Sequence, residues 1–293
     1  MTGKKPHRRF DSAVKDGLRN LPGYLILGAW CAFTLYLLSW VVAASFSTTK
    51  EIFSGNVFAM SSGVHFENYV SAWTTSKVSV FFGNSILYTA VTLVGSIAIC
   101  APASYALARF RFRGNRLIQV ILVASMSVPG IMVILPLFQL VARAGVMNNA
   151  AANRVVLILL YIGTKIAYTT IFLYNFFTGL SYSYEEAAAI DGCSPVRAFW
   201  QIMLPMAKGG IATVSIFNFL GVWNEYFMSL IMAGSDKVKP VAIGLHSLIN
   251  SMKYTGNWAG MFAAVVIVTL PCIILYLCLS EKIIGGVTGG VKG

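Results

Sequence analysis

The sequence predicts an all-α membrane protein with six transmembrane helices. Of its 293 residues, 57% are hydrophobic and only 11% are charged, and the mean hydropathy is +0.73. A soluble domain has about 25% charged residues, so one large globular core is excluded. The apolar residues form six long runs, each long enough to cross a hydrocarbon core of about 30 Å as a helix. Four runs carry no charge, and the other two carry one charge each, Lys165 in the fourth and Glu225 in the fifth.

The six runs define the spans in chain order and place them in a transmembrane domain over residues 21–284. The predicted bounds of the spans are about 23–46, 81–103, 117–141, 155–179, 210–233 and 258–280. Helices are favoured over a β-barrel because the runs are continuously apolar, whereas barrel strands alternate in segments of about ten residues. The third span contains Pro129 and Pro136, which we expect to kink it and to place it beside a pore.

Basic residues are distributed unequally between the two sides of the predicted membrane. Fourteen Lys and Arg side chains lie on the side of the N-terminus and seven on the other side. Because cytoplasmic loops carry the excess of Lys and Arg, both termini are predicted to be cytoplasmic. Residues 1–20 then form a basic cytoplasmic arm, since the apolar run behind them is too long for a signal peptide. The net charge of +12 reflects this topology, so no nucleic-acid partner is expected.

A polar stretch over residues 181–209 lies between the fourth and fifth spans, on the predicted cytoplasmic side. Ser183 and Glu186 have the spacing of a capping box, which predicts that a helix begins there. The alanines that follow are strong helix formers. Gly192 is able to adopt the left-handed conformation that ends a helix.

A second short helix is predicted in the same stretch. Ser194 is suited to cap its start, and Pro195 is suited to its first position. Leu204-Pro205 is expected to stop it, because proline cannot continue the hydrogen-bond ladder. The stretch is therefore predicted to form two short helices at an angle on the membrane surface.

These residues and their spacing resemble the signature loop of permease subunits of ATP-binding-cassette (ABC) importers. In that family the loop docks onto the ATPase, so residues 181–209 are called the coupling segment below. The residues to which the resemblance gives a docking role are Glu186, Ala187, Ala188, Asp191, Gly192, Ile202, Leu204 and Pro205. An ordinary pair of amphipathic interfacial helices would explain the Ala and Ser residues, but it does not predict Gly and Leu-Pro at these positions.

The resemblance extends over roughly residues 66–293 and points to the carbohydrate-importing branch of the family. Its further matches are Phe66-Glu67-Asn68-Tyr69, Tyr105-Ala106-Leu107-Ala108-Arg109 and Trp223-Asn224-Glu225-Tyr226. The glycine-rich tail, residues 285–293, is similar to the end of the smaller maltose-type permease subunit. In that group the tail reaches into the ATPase dimer, which would place Gly289, Gly290 and Lys292 there; a disordered cytoplasmic tail is the alternative.

The resemblance implies a MetI-like helical core formed by spans 2–6, in a multi-pass protein of the bacterial cytoplasmic (inner) membrane. It also implies a heterodimer with a second permease subunit, two ATP-binding-cassette subunits and an extracytoplasmic solute-binding protein. ATP and Mg would be bound by the ATPase subunits, because this chain has no Gly-x4-Gly-Lys-Ser/Thr loop to hold phosphates. The chain is therefore expected to be a transport subunit, not an enzyme, with no cofactor of its own.

Cysteine and histidine residues give no sign of a metal site or of a catalytic group. The five cysteines are scattered without a Cys-x-x-Cys pair, and the three histidines lie far apart in loops or in the N-terminal arm. Disulfide scaffolding and metal binding are therefore not expected.

Two charges inside spans mark a candidate translocation path. Lys165 and Glu225 lie at similar predicted depths, and intramembrane charges usually face a bundle interior or a cavity. Either they form a buried salt bridge, or Lys165 faces the path and contacts an acidic oligosaccharide such as an alginate-type oligo-uronate. A neutral sugar would need aromatic and amide groups instead. The polar and aromatic candidates near these charges are Tyr161, Tyr168, Asn175, Asn218, Trp223 and Asn224.

Three other functions remain as alternatives. An ion-coupled secondary transporter is disfavoured by the single intramembrane carboxylate and by the absence of an evident repeat between the halves. A membrane-embedded enzyme is disfavoured because no nucleophile–base pair is visible. An ABC permease for another solute class, such as peptide or phosphate, is disfavoured by the Trp-Asn-Glu sequence and by the tail.

Overall fold

The computed structural model describes the backbone of residues 7–289 and the side chains of residues 20–250 and 256–279. The described backbone is almost entirely helical and contains no strand. Its α-helices, in chain order, are α1 (His7–Phe46), α2 (Thr49–Ser54), α3 (Glu67–Thr74), α4 (Val78–Arg109), α5 (Asn115–Met126), α6 (Gly130–Arg143), α7 (Ala150–Thr178), α8 (Ser183–Ile190), α9 (Pro195–Ala198), α10 (Leu204–Met206), α11 (Lys208–Trp223), α12 (Phe227–Met232), α13 (Val241–Thr255) and α14 (Trp258–Gly289).

Four helices are long and apolar enough to cross a membrane unbroken. They are the Asn20–Phe46 part of α1, all of α4, all of α7 and the Trp258–Leu279 part of α14. These helices confirm the predicted spans 1, 2, 4 and 6. Helix α4 extends beyond the apolar run at both ends, and α1 begins within the basic arm at His7.

The third predicted span is a broken helix. Helices α5 and α6 meet at 96° across Ser127–Pro129, and this pair counts as one bent span. Pro129 restricts Val128 to extended backbone, which ends α5 and starts α6 in a new direction. Pro136, which we also expected to kink the span, lies inside α6 and does not interrupt it.

The fifth predicted span, 210–233, is wrong as one continuous helix. Helix α11 ends at Trp223, residues 224–226 are not helical, and α12 begins at Phe227. Glu225 therefore lies in the break between two helices and not on a helix. At its other end α11 follows the Pro195–Met206 helical stretch at an angle of 69°, and these two form the second bent pair.

The centre of the fold is the contact of α4 with α7. Small and polar residues allow this close approach, as is usual between membrane helices. A Cβ added to Gly95 of α4 would lie 2.7 Å from Ile162 Cδ1 of α7. The Ser104 hydroxyl donates a 2.9 Å hydrogen bond to the Thr170 carbonyl across the same contact.

The two ends of the helix bundle differ in what covers them. At the end where α4 begins, Asn84 Nδ2 donates to the carbonyls of Lys237 and Lys239 at 2.9 and 3.0 Å, which ties the 233–240 loop across the bundle. At the end where α4 stops, Arg109 faces the coupling segment. The positive-inside count predicts that this second end is cytoplasmic.

Candidate functional site

The turn in the middle of the coupling segment is fixed by Gly192. Its φ of +77° is in the left-handed region, as predicted. Its N–H donates to the Ala189 carbonyl at 3.0 Å, and the Cys193 N–H donates to the Ala188 carbonyl at 2.9 Å. This pair of bonds is a Schellman motif, which satisfies the last carbonyls of α8 and turns the chain sharply.

The predicted capping box at the start of α8 is absent. The N-cap residue Tyr182 forms no side-chain cap; instead Ser181 Oγ accepts from the Ser183 N–H at 3.2 Å and shares a 2.8 Å hydrogen bond with the Ser183 hydroxyl. The helix begins one residue earlier than expected, so Ser183 is its first residue. Glu185 then occupies the third position, and its carboxylate turns away to Arg109.

The second helix starts as predicted but continues further. Ser194 Oγ accepts from the Arg197 N–H at 3.3 Å, and Pro195 is the first helical residue. Helix α9 then passes into a π-helical turn over Phe199–Met203. Pro205 does not stop the helix at Leu204; the end comes only at Ala207, where the chain bends into α11. The wider π turn lets the helix continue although proline lacks an N–H.

A buried ion pair fastens the coupling segment to the end of α4. Arg109 Nε donates to Glu185 Oε1 at 2.9 Å, and the two side chains are 3% and 17% exposed. Arg109 Nη2 also donates to the Leu180 carbonyl at 2.9 Å. The guanidinium carbon lies 4.2 Å from the centre of the Tyr182 ring, within the range of a cation–π contact. The sequence singled out Glu186 and missed Glu185.

The predicted docking residues divide into an exposed group and an anchoring group. The exposed ones are Glu186, Ala187, Asp191, Gly192 and Pro205. Ala188 is buried, while Ile202 and Leu204 are half-buried against a core cluster that includes Phe177 and Phe199. These three residues therefore anchor the segment to the bundle.

Three apolar side chains on the free face of the coupling segment were not predicted. Ile190 is 86% exposed, Val196 is 68% exposed and Trp200 is 56% exposed. They lie within eleven residues of the coupling segment, Ile190 to Trp200. The signal available in the sequence was their presence in a polar loop, where apolar side chains have no core to enter.

Lys165 and Glu225 line one cavity inside the bundle. This cavity has a volume of about 750 Å³, and the bent α5–α6 pair forms its other wall. Tyr161 and Tyr168 also line it. Its walls are thus mainly apolar and aromatic, with one ammonium and one carboxylate.

Among the described side chains, Lys165 forms no ion pair with Glu225 or with any other carboxylate. Space for its ammonium comes from Gly221 of α11, because a Cβ at that position would lie 2.6 Å from Lys165 Nζ. Of the two alternatives for the intramembrane charges, the salt bridge is therefore not formed, and both residues line the cavity.

The Glu225 carboxylate caps the first turn of α12. Its Oε1 accepts from the Met228 N–H at 2.7 Å, and its Oε2 accepts from the N–H and hydroxyl of Ser229 at 3.0 and 2.7 Å. The Tyr161 hydroxyl is 3.5 Å from Oε2 and is also hydrogen-bonded to the Ser229 hydroxyl. These bonds use the carboxylate to start a helix inside the bundle.

The other predicted path residues lie outside this cavity. Asn218 is buried and donates to Thr169 Oγ1 at 2.9 Å. Trp223 is buried and donates to the Val268 carbonyl at 3.1 Å. Asn224 donates to the Leu220 carbonyl of the preceding helix α11 at 3.0 Å.

The predicted tail contacts lie at or beyond the end of the described backbone. Gly289 is the last described backbone residue, and Gly290 and Lys292 lie outside the described residues.

Within the residues whose side chains are described, no group of three or more His, Cys, Asp or Glu side chains is placed to hold a metal ion.

Comparisons with known proteins agree on one family. Residues 98–283 match the family described as binding-protein-dependent transport system inner membrane component. The chain is 34% identical over 267 residues to a diacetylchitobiose uptake system permease protein of Streptomyces coelicolor, covering 91% of this chain and 87% of that one. It is 26% identical over 285 residues to a galactooligosaccharides transport system permease protein of Bacillus subtilis, covering 97% and 99%.

A solved structure has the same fold. It is a chain of a bacterial ABC transporter involved in the import of the acidic polysaccharide alginate, with a TM-score of 0.76 and 22% sequence identity. The match covers 96% of this chain and 99% of that chain. The bent helix pairs and the coupling segment therefore belong to a known arrangement of helices.

Proposed function

Because the chain belongs to the family of binding-protein-dependent transport system inner membrane components, we propose that it carries carbohydrate into the cytoplasm and is coupled to ATPase subunits through its coupling segment. It is a membrane-embedded transport subunit of an ABC importer for sugars. In the complex we propose, it pairs with a second permease subunit and two ATPase subunits, which bind ATP and Mg. A solute-binding protein delivers the cargo to the opposite face of the bacterial cytoplasmic membrane.

The observation that carries the docking proposal is the contrast between the two faces of the coupling segment. One face is fastened to the bundle by the Arg109–Glu185 pair and by the half-buried Ile202 and Leu204. The other face exposes Ile190 and Val196, although apolar side chains of this size gain free energy when they are buried. A rigid projection that exposes apolar side chains fits a cleft in a partner protein. Movement of that partner would then be transmitted to α4 and α11.

The cavity beside Lys165 supports the proposal that the transported sugar enters the helix bundle there. Aromatic and polar walls suit a sugar ring, and Tyr161 and Tyr168 supply rings there. The Lys165 ammonium has no ion pair among the described carboxylates, while the Glu225 oxygens are occupied by N–H and hydroxyl donors. We propose that the cavity favours an oligosaccharide with an acidic group.

The test is reconstitution of the full complex with its solute-binding protein in proteoliposomes. Neutral oligosaccharides and oligo-uronates are compared for stimulation of ATPase activity and for ATP-driven uptake. We expect a carbohydrate to stimulate both, with the acidic compounds ahead. Uptake that a proton gradient drives without ATP would contradict the proposal and support the secondary transporter.

A pair of lysine variants separates the cargo proposal from general charge effects. Lys165→Met removes the ammonium from the cavity, and we expect it to abolish the preference for acidic compounds. Lys50→Met removes an exposed charge of α2 outside the cavity, and it should leave the preference unchanged. Equal behaviour of the two variants would show that Lys165 does not select the cargo.

A further inference from the structure

A second cavity, of about 690 Å³, lies where α4 turns into α5. Arg109, Arg111 and Arg116 line it, together with Tyr174 and Tyr182. None of the described residues that line it is acidic. Three guanidinium groups around one space, without a carboxylate among them, make the cavity favourable for an anion.

The arginines of this cavity retain hydrogen-bonding capacity. Arg111 and Arg116 form no ion pair with any described side chain. The Arg109 side chain is 3% exposed and is already paired with Glu185. The donors free to bind a ligand in the cavity are therefore mainly those of Arg111 and Arg116. Guanidinium groups bind phosphate oxygens especially well because their donors match the spacing.

The surface that continues from the cavity is apolar. Leu117 lines the cavity, and Ile121 follows it one helical turn further along α5 on the same face. Both side chains are exposed, and the described residues of α5 include no buried one. A basic pocket at the membrane boundary, joined to an apolar ridge that enters the membrane, has the two-part shape of a phospholipid.

We propose that this cavity binds the headgroup of an anionic phospholipid, with an acyl chain along the Leu117–Ile121 face of α5. The ridge distinguishes a lipid from free phosphate, which would gain nothing from apolar contact. Arg109 is shared between this cavity and the ion pair with Glu185. The headgroup therefore lies beside the attachment of the coupling segment. The proposal does not depend on the nature of the cargo.

The test is native mass spectrometry of the full complex taken from nanodiscs that contain phosphatidylglycerol and phosphatidylcholine. We expect wild-type complex to retain phosphatidylglycerol in preference to phosphatidylcholine. Arg111→Gln and Arg116→Gln should each reduce the retention about fivefold, the effect expected for one basic residue near an anionic lipid. Arg109 is not varied, since its loss would also break the ion pair with Glu185.

Arg113→Gln is the matched control. Arg113 lies in the same loop and is exposed, but it does not line the cavity, so its variant should retain the lipid as wild type does. Equal loss in all three variants would show diffuse attraction and overturn the site. Displacement of the lipid by inorganic phosphate, or failure of the wild-type complex to retain either lipid, would also overturn it, in favour of a phosphate site or a protein partner.

Discussion

Arg109 and Glu185 lie 76 positions apart in the sequence and form a 2.9 Å hydrogen-bonded ion pair between Nε and Oε1. The pair joins the end of α4 to the first turn of α8. Both side chains are largely withdrawn from solvent. The coupling segment is thereby held to the helix at the centre of the bundle, which is what transmission of a movement through it requires.

Substitution of two adjacent glutamates is expected to change the stability of the protein by very different amounts. Glu185→Gln leaves the Arg109 charge buried without its partner, and we expect a loss of about 3–5 kcal/mol in the free energy of unfolding. Glu186→Gln changes an exposed side chain, so its effect should stay within about 0.5 kcal/mol. The thermal unfolding midpoint of the purified complex measures both. Equal midpoints for the two variants would contradict a structural role for the ion pair.

The spans were predictable where the helix continues through the membrane. Helices α4, α7 and α14 contain long apolar runs, and neither Pro102 in α4 nor Pro271 in α14 interrupts its helix. The break at residues 224–226 was missed because apolar residues flank it on both sides. The helix restarts there because the Glu225 carboxylate accepts hydrogen bonds from Ser229, a contact that the hydrophobic pattern does not reveal. The bend at Ser127–Pro129 was only partly predicted, since its angle depends on packing.

The candidate site was predictable where the determinants are local. Gly192 and Ser194-Pro195 act within a few residues, and their conformations were foreseen. Glu185 was missed because its importance arises from Arg109, which is distant in the sequence. The cavity beside Lys165 could not be predicted from the sequence for the same reason, since α5, α6, α7 and residues 225–228 jointly enclose it.

Gly221 provides a test of where the Lys165 ammonium lies. A Cβ at Gly221 would be 2.6 Å from Lys165 Nζ. Gly221→Ala should therefore displace the end of this flexible side chain and weaken the preference for acidic cargo, with normal assembly of the complex. Gly163→Ala adds a methyl group to a residue of the same cavity where nothing lies within 4 Å. If both variants keep the preference in uptake assays, the ammonium does not act from this position.

Glu51 in the first turn of α2 predicts a dependence of stability on pH. The backbone N–H groups of Thr48 and Ser62 each donate to its carboxylate at 2.9 Å, and they lower the pKa of Glu51 to about 2. The folded state then binds fewer protons than the unfolded state. Stability from this group is complete above the usual pKa of 4.5 and is lost as the pH falls toward 2.

The check for Glu51 is the unfolding midpoint of the purified protein between about pH 5 and pH 3. Wild type should lose stability over this range more steeply than Glu51→Gln, whose side chain does not titrate. Identical slopes would show that the carboxylate is not held by these hydrogen bonds.

The most direct test of the coupling role compares two glycines with similar backbones. Gly192 in the coupling segment has a φ of +77° and Gly145, in the loop after α6, has a φ of +67°; neither has a heavy atom within 4 Å of an added Cβ. Valine at either position strains the backbone by about 1–2 kcal/mol. The measurement is ATPase activity stimulated by the loaded solute-binding protein in the reconstituted complex. We expect Gly192→Val to reduce it about tenfold or more, equivalent to about 1.4 kcal/mol, with Gly145→Val close to wild type. Normal stimulation in Gly192→Val, or an equal loss in both variants, would contradict the account.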